Sequence, residues 1–203
     1  MMIKKIIVNP SFFFLVAGNI YCIWYYETHP GAFVTVVWIY WFQSITIGLF
    51  NFLDLLTVKN YNTGNLKIND QPVSTANQGC VAWFFLVHYG FFHIGYAVFL
   101  LASLGVRSVN KLILLIGIAA FFLESVLNFM RQKQIERTVS VNMGNLFFLP
   151  YLRIIPMHLM ILLPAFLGWQ PALLFLVLKM AADLLSFFWY HHVFGKNKVV
   201  DQG

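Results

Sequence analysis

The feature that most constrains this chain is an apolar run from Cys80 to Leu104 that contains no Asp, Glu, Lys or Arg. A helix needs about 20 apolar residues to cross a bilayer, so the run predicts a membrane span. The same run carries His88 and His93. Ionisable groups within a span are costly and typically mark functional sites. We therefore expect this helix to contribute side chains to a polar site inside the membrane.

The composition indicates that the rest of the chain is also embedded in the membrane. Of its 203 residues, 60% are hydrophobic and 10% are charged, whereas soluble domains carry roughly 25% charged residues. Apolar stretches of sufficient length predict six helices, at about 9–26, 33–56, 80–104, 109–131, 147–167 and 171–194. No polar segment is long enough for a second domain. We predict an all-α polytopic membrane protein, a six-transmembrane-helix bundle that forms a single domain over residues 1–203.

The distribution of basic residues predicts the orientation of the bundle. The formal net charge is +6, and most Lys and Arg residues fall between the predicted spans rather than in a patch for nucleic acid. Cytoplasmic loops carry an excess of Lys and Arg. We therefore predict that both termini and the two longer loops, 57–79 and 132–145, are cytoplasmic in a multi-pass protein of the bacterial inner membrane. One side carries nine basic residues, Lys4, Lys5, Lys59, Lys67, Arg131, Lys133, Arg137, Lys196 and Lys198, and the other carries Arg107 and Lys111.

Polar side chains inside the predicted spans form one layer of the bundle. At a rise of about 1.5 Å per residue, most of them lie in the cytoplasmic half or near the middle of their helices. Residues four apart share a helix face, as in the pairs Glu124 with Asn128 and Lys179 with Asp183. The candidate polar site comprises Gln43, Asn51, His88, His93, Glu124, Asn128, Arg153, His158, Lys179 and Asp183.

Several of these groups also have a purely structural interpretation. Lys179 and Asp183 either neutralise each other along one helix, or Asp183 is neutralised by His158 or by a metal ion. Glu124 is expected to lie close enough to Arg153 for a salt bridge, since both lie at similar depth on different helices. A single histidine in a span more often forms an interhelical hydrogen bond than a ligand contact. His88 and His93 are rotated by about 140° from each other, so they do not point at one ligand.

A metal centre is one functional interpretation of the layer. His88, Glu124, His158 and Asp183 would supply nitrogen and oxygen ligands of the kind that zinc and iron accept. These ligands come from separate helices, so their spacing along the chain gives little support. The chain contains no HExxH, GxSxG, Walker or dinucleotide-binding motif.

Several short motifs along the chain resemble those of a known family. They are Tyr40-Trp41, Ile47-Gly48 with Asn51, the stretch from Phe84 to Gly90, Asn128-Phe129, Pro150-Tyr151-x-Arg153 with His158, and Lys179 with Asp183-Leu184. With these motifs the chain resembles a bacterial integral-membrane family catalogued as domain of unknown function 6498. The resemblance implies the membrane architecture. It also implies that other family members have an acidic residue where this chain has Gln43, so a role that needs a carboxylate at this position is not expected here. It implies no activity.

Three functions are compatible with this sequence. The first is a metal or acid–base site that acts on a lipid-like or quinone-like molecule entering from the cytoplasmic half, with Arg153 holding an anionic head group. The second is a small proton-coupled transporter with Lys179, Asp183 and the histidines as a relay. The third is a structural or assembly subunit whose polar layer is packing. The partners expected are the lipid bilayer and either further copies of this chain or a larger membrane complex.

Overall fold

The computed structural model describes residues 10–29, 31–63, 66–68, 70–167 and 176–189, which are mostly helical. The all-α fold class is therefore confirmed. The first three helices agree with their predicted bounds to within two residues, but α4 ends five residues later and α5 begins four residues earlier than expected. The helices are α1 (Pro10–Thr28), α2 (Ala32–Thr57), α3 (Gln78–Ser103), α4 (Lys111–Glu136), α5 (Met143–Leu167) and α6, described over residues 176–189.

The two longer loops meet at one end of the bundle, which we call the loop end. Within the described residues they contain four short strands, β1 (Tyr61–Asn62), β2 (Lys67–Ile68), β3 (Gln71–Pro72) and β4 (Val141–Asn142). Strands β2 and β3 form an antiparallel pair. Strand β1 pairs with β4 in parallel, which joins the loop after α2 to the loop after α4.

The extra turn of α4 is explained by polar contacts at the loop end. The Glu136 carboxylate accepts a hydrogen bond from the backbone N–H of Lys59 at 2.7 Å. It also binds Lys133 at 2.9 Å, and the same ammonium lies 3.2 Å from Asp54 on α2. Polar residues assigned to a loop by composition thus continue the helix, because their side chains bind the neighbouring loop and helix.

The turn between α3 and α4 lies at the opposite end. Trp38 Nε1 on α2 donates to the carbonyl of Gly105 at 3.0 Å. The backbone N–H of Asn110 donates to Thr35 Oγ1, also at 3.0 Å. These contacts fix the α3–α4 turn against the start of α2. Both longer, basic loops therefore share one end of the bundle, and the turn containing Arg107 lies at the other.

The outer face of α3 is apolar along its length. Its large exposed side chains recur every three or four residues, at Trp83, Val87, Phe91, Ile94, Val98 and Leu101. Continuous exposed apolar surface of this kind marks a membrane or protein contact. Among the described helices, α2, α3 and α4 are long and apolar enough to cross a membrane. The chain is therefore a membrane protein.

Helix α2 lies at the centre of the bundle and packs against α1, α3, α4 and α5. Glycines permit α3 and α4 to approach α2 closely. A Cβ added at Gly48 on α2 would overlap the ring of Tyr89 on α3, and one added at Gly117 on α4 would lie 2.7 Å from Ile39. Small residues at helix interfaces have this role in membrane proteins. The polar faces of α2 and α4 are thereby brought together.

Replacing Gly48 with alanine should destabilise the protein by about 1–3 kcal/mol, because the added methyl group overlaps a packed ring. The Tyr89 ring has little freedom to move, since its hydroxyl donates to the Ser44 carbonyl at 3.0 Å. The matched control is Gly90→Ala on α3, where an added Cβ meets nothing within 4 Å. Thermal unfolding in detergent compares the two variants. Equal melting temperatures would contradict the close packing of α2 on α3.

Candidate functional site

A cluster of charged side chains lies inside the bundle, where α6 meets α5. Asp183 is fully buried, and its Oδ1 accepts a hydrogen bond from Lys179 Nζ at 2.7 Å. The two residues are one helical turn apart on α6, so the structure contains the intrahelical ion pair considered above. Arg153 on α5 adds a second cation, with its Nε 3.7 Å from the same carboxylate oxygen.

Two amide side chains complete the surroundings of Asp183. Its Oδ2 accepts hydrogen bonds from Asn19 on α1 and Gln43 on α2, each at 3.2 Å. Gln43 also accepts a hydrogen bond from Lys179 at 2.8 Å, so one amide contacts both members of the ion pair. Asp183 therefore has four polar partners from four helices. A buried ion pair is stable only when its remaining hydrogen-bonding capacity is met in this way.

Tyr40 on α2 encloses the other side of the ion pair. Its ring centroid lies 4.9 Å from Lys179 Nζ, which is within the range of a cation–π contact. Its hydroxyl donates to Asn19 at 3.0 Å. The cation is thus surrounded by a carboxylate, an amide and an aromatic face. This arrangement indicates that the Lys179–Asp183 pair has a structural role.

Glu124 on α4 is also fully buried but is poorly satisfied. Its Oε2 accepts a long hydrogen bond from Ser125 at 3.4 Å, and its Oε1 has no partner among the described residues. The expected salt bridge between Glu124 and Arg153 is not formed. In the described part of the chain, Arg153 instead forms its ion pair with Asp183, whose oxygens lie in the same buried layer. Glu124 and Arg153 nevertheless line the same cavity.

This cavity has a volume of about 80 Å³ and lies between α2, α4, α5 and α6. One water needs roughly 10–15 Å³, so there is room for about five waters or one small polar group. The polar wall consists of Asn51, Asp54, Glu124, Ser125, Asn128, Gln132, Arg153 and Ser186. The apolar wall consists of Ile47, Phe50, Phe129, Leu146, Leu149, Pro150 and Phe187. We call the half-buried members of the apolar wall, Ile47, Phe50, Phe129 and Leu149, the cavity mouth.

Four side chains of the polar wall have a buried atom without a hydrogen-bond partner among the described residues, and three of the four atoms also lack an ionic contact. These three atoms are Glu124 Oε1, Asn128 Oδ1 and Asn51 Nδ2. Asp54 differs, because Lys133 lies 3.2 Å from its Oδ1. Leaving a buried polar group unsatisfied costs about 1–3 kcal/mol. Three such groups around one cavity indicate that a polar occupant, either water or a ligand, belongs there.

The histidines do not join this polar wall. His93 is buried on α3, where its Nδ1 donates to the carbonyl of Tyr89 at 2.9 Å. His88 is exposed, and its Nδ1 lies 2.7 Å from the hydroxyl of Tyr151. His88 and His93 were expected not to point at one ligand, and the structure agrees, because His88 is exposed and His93 is buried. The side chain of His158 on α5 lies outside the part of the chain that the structure describes.

The residues expected to bind a metal do not fit a shared ion. His88 is exposed and bound to Tyr151, and Asp183 is occupied by its four polar partners. Among the described residues, no group of three or more His, Cys, Asp or Glu is placed to hold a metal ion. The zinc or iron hypothesis stays a prediction in so far as it depends on the side chain of His158.

Six contributors to the site were not among the expected residues, namely Asn19, Tyr40, Asp54, Ser125, Gln132 and Ser186. Asn19 interrupts an otherwise apolar part of α1 and was a recognisable signal. Tyr40 lies in one of the family motifs, but an aromatic residue in a span is typical of packing. Asp54 follows Asn51 by three residues, which places both on one face of α2. That spacing was also available from the sequence.

Comparison with known proteins identifies the family but not an activity. No curated protein and no solved structure matches this chain. The model of a "Family of unknown function (DUF6498)" matches residues 1–199, which is nearly the whole chain. The match agrees with the resemblance carried by the motifs around Asn51, His88, Arg153 and Asp183. The chain therefore belongs to the family of unknown function DUF6498.

Proposed function

We propose that this chain is a multi-pass protein of the bacterial inner membrane, with six spans and both termini in the cytoplasm. The length and apolar character of α2, α3 and α4 support membrane crossing. Helices α1 and α5 pack along these helices, which supports a similar orientation. The excess of basic residues in the two longer loops supports a cytoplasmic loop end.

Within this architecture, the cavity binds the polar end of a lipid-like or quinone-like molecule. The observation that carries the proposal is the division of the cavity into a polar wall with three unsatisfied atoms and an apolar, half-buried mouth. An amphiphile matches both parts. The volume of about 80 Å³ is too small for a whole lipid. The head group therefore occupies the cavity, while the tail passes the mouth and lies against the outer surface of the bundle.

Glu124 is the group that accepts a hydrogen bond from the bound head group. Its Oε1 has no competing partner among the described residues, so it is available to the occupant. Asp183, by contrast, has four polar partners and serves to hold α6 in place. The cavity thus combines an available carboxyl group with a charged cluster that keeps the surrounding helices fixed.

Photo-crosslinking tests this proposal. A photoreactive amino acid placed at Leu149, in the cavity mouth, should capture one discrete amphiphile in the native membrane. The matched control position is the neighbouring Phe148, whose side chain is 63% exposed on α5 and should capture bulk membrane lipids. Mass spectrometry of the adducts compares the two positions. Filling the cavity with Asn51→Phe should make the Leu149 pattern resemble that of Phe148.

Capture of the same lipid mixture at both positions, unchanged by Asn51→Phe, would contradict a specific amphiphile site. The comparison is internal to one helix, so differences in expression or membrane insertion do not affect it. A variant that fails to insert would give no adduct at either position, and its thermal unfolding identifies it.

The proposed topology has a separate test. A reporter enzyme that is active only outside the cytoplasm should be silent when fused after Gly203 and active when fused after Gly105 in the α3–α4 turn. The expected result follows from the basic residues on the loop side and their scarcity near Arg107. Activity of the Gly203 fusion would show that the orientation is wrong.

A further inference from the structure

We infer that the head group bound in the cavity is a neutral diol, that is, an uncharged group with two hydroxyls close together. The inference rests on the proposed function and names its ligand class. It follows from two independent observations. The first is whether each unsatisfied atom of the polar wall donates or accepts hydrogen bonds, and the second is the balance of formal charges around the cavity.

The unsatisfied atoms require both donors and acceptors from the ligand. Glu124 Oε1 and Asn128 Oδ1 accept hydrogen bonds, and Asn51 Nδ2 donates them. Two hydroxyl groups supply two donors for the two oxygens, and either hydroxyl oxygen accepts from Asn51. A diol therefore satisfies all three atoms. An ammonium group only donates and leaves Asn51 unsatisfied, while a phosphate group mainly accepts and leaves the two oxygens unsatisfied.

The formal charges around the cavity are already balanced. In the buried layer, the formal charges of Lys179, Arg153, Asp183 and Glu124 sum to zero. Asp54, the other charged residue of the polar wall, is paired with Lys133 at 3.2 Å. A charged head group would add one uncompensated charge to this interior, which is costly at low polarity. A neutral head group preserves the balance.

Arg153 is the residue that would otherwise favour an anionic ligand. Its guanidinium lines the cavity but forms an ion pair with the fully buried Asp183, at 3.7 Å. Binding an anion would draw it from that carboxylate. The geometry therefore favours a ligand that uses the Glu124 side of the wall over an anionic head group held by Arg153.

Ligands that share the same twelve-carbon tail but differ in their head groups test the inference. We would add 1-monolauroylglycerol, its isopropylidene ketal, dodecyl phosphate and dodecylammonium separately to delipidated protein, and measure occupancy by native mass spectrometry. The diol should bind about tenfold better than each of the others, because losing a buried hydrogen bond or adding a charge costs on the order of 1–3 kcal/mol. Asn128→Leu should reduce diol binding to the level of the ketal.

Two further variants make every outcome decisive. Asn51→Leu removes the single donor and should also weaken diol binding, while Asn62→Leu alters an exposed asparagine in the loop and should not. Preference for dodecyl phosphate or dodecylammonium that is abolished by Asn51→Phe would overturn the diol but retain the amphiphile site. Equal occupancy by all four ligands, unaffected by Asn51→Phe, would overturn the site itself and the diol with it.

Discussion

Replacing Asp183 with leucine should destabilise the protein by about 3–5 kcal/mol, because it leaves two buried cations without their carboxylate. Lys179 lies 2.7 Å and Arg153 lies 3.7 Å from Asp183 Oδ1. The amides of Asn19 and Gln43 would also lose their acceptor.

The double variant Lys179→Met with Asp183→Leu should recover most of this loss, since it removes one cation and one anion together. Thermal unfolding in detergent, followed by intrinsic fluorescence, compares the single and double variants. Leu185→Met changes an exposed side chain on the same helix and serves as the control. If the double variant unfolds as readily as Asp183→Leu, the two charges do not form a self-contained pair, and a further ligand of Asp183 is required.

Replacing Arg153 with methionine should destabilise the protein by about 3 kcal/mol, because the formal charges of Glu124, Lys179 and Asp183 in the layer then no longer sum to zero. Asp183 retains Lys179 at 2.7 Å. Glu124 therefore carries the uncompensated charge, although Arg153 forms no salt bridge with it among the described residues. Adding Glu124→Gln should restore most of the stability, since it returns the sum of formal charges to zero.

A double-mutant cycle measures this coupling between Arg153 and Glu124. Unfolding of wild type, both single variants and the double variant gives the interaction free energy. We expect the double variant to be more stable than Arg153→Met alone. Additive losses would show that Glu124 does not depend on Arg153 for charge compensation, and that the balanced set of four charges is not the organising feature of the layer.

The fold could be predicted from sequence because the bilayer imposes a simple length rule on apolar helices. The bounds of α1, α2 and α3 followed from their apolar runs alone. The ends of α4 and α5 could not be predicted in the same way. Four of the five residues from Gln132 to Glu136 are polar, and their helical state depends on contacts with Lys59 and Asp54 from another part of the chain. Composition does not record such contacts.

The residues that make up the site could be predicted better than the ion pairs that they form. Depth along each helix identified Glu124, Arg153, Lys179 and Asp183 as one layer. Which anion neutralises Arg153 depends on the rotation of each helix about its axis, and that rotation is set by side-chain packing such as Gly48 against Tyr89. The sequence contains no direct signal for it. For this reason the direct salt bridge between Glu124 and Arg153 is absent among the described residues, although both side chains line the same cavity.

The direction in which each histidine faces could not be predicted from the sequence, for a related reason. An ionisable residue within an apolar run predicts a functional site only if it faces the interior. His88 lies on the outward face of α3, close to exposed Phe84 and Val87. His93 faces inward but hydrogen-bonds the backbone of its own helix. Helix α1 contributes through Asn19, which was not among the candidate residues.

The central claim is that the cavity beside Glu124 holds the head group of one amphiphile. The most direct measurement is the number of bound amphiphiles per chain after purification in a mild detergent, obtained by extraction and quantitative mass spectrometry. Wild-type protein should retain about one molecule of a single hydroxyl-bearing species, and Asn51→Phe should lose it while keeping its fold. Equal amounts of the same lipid mixture in both proteins would contradict the claim.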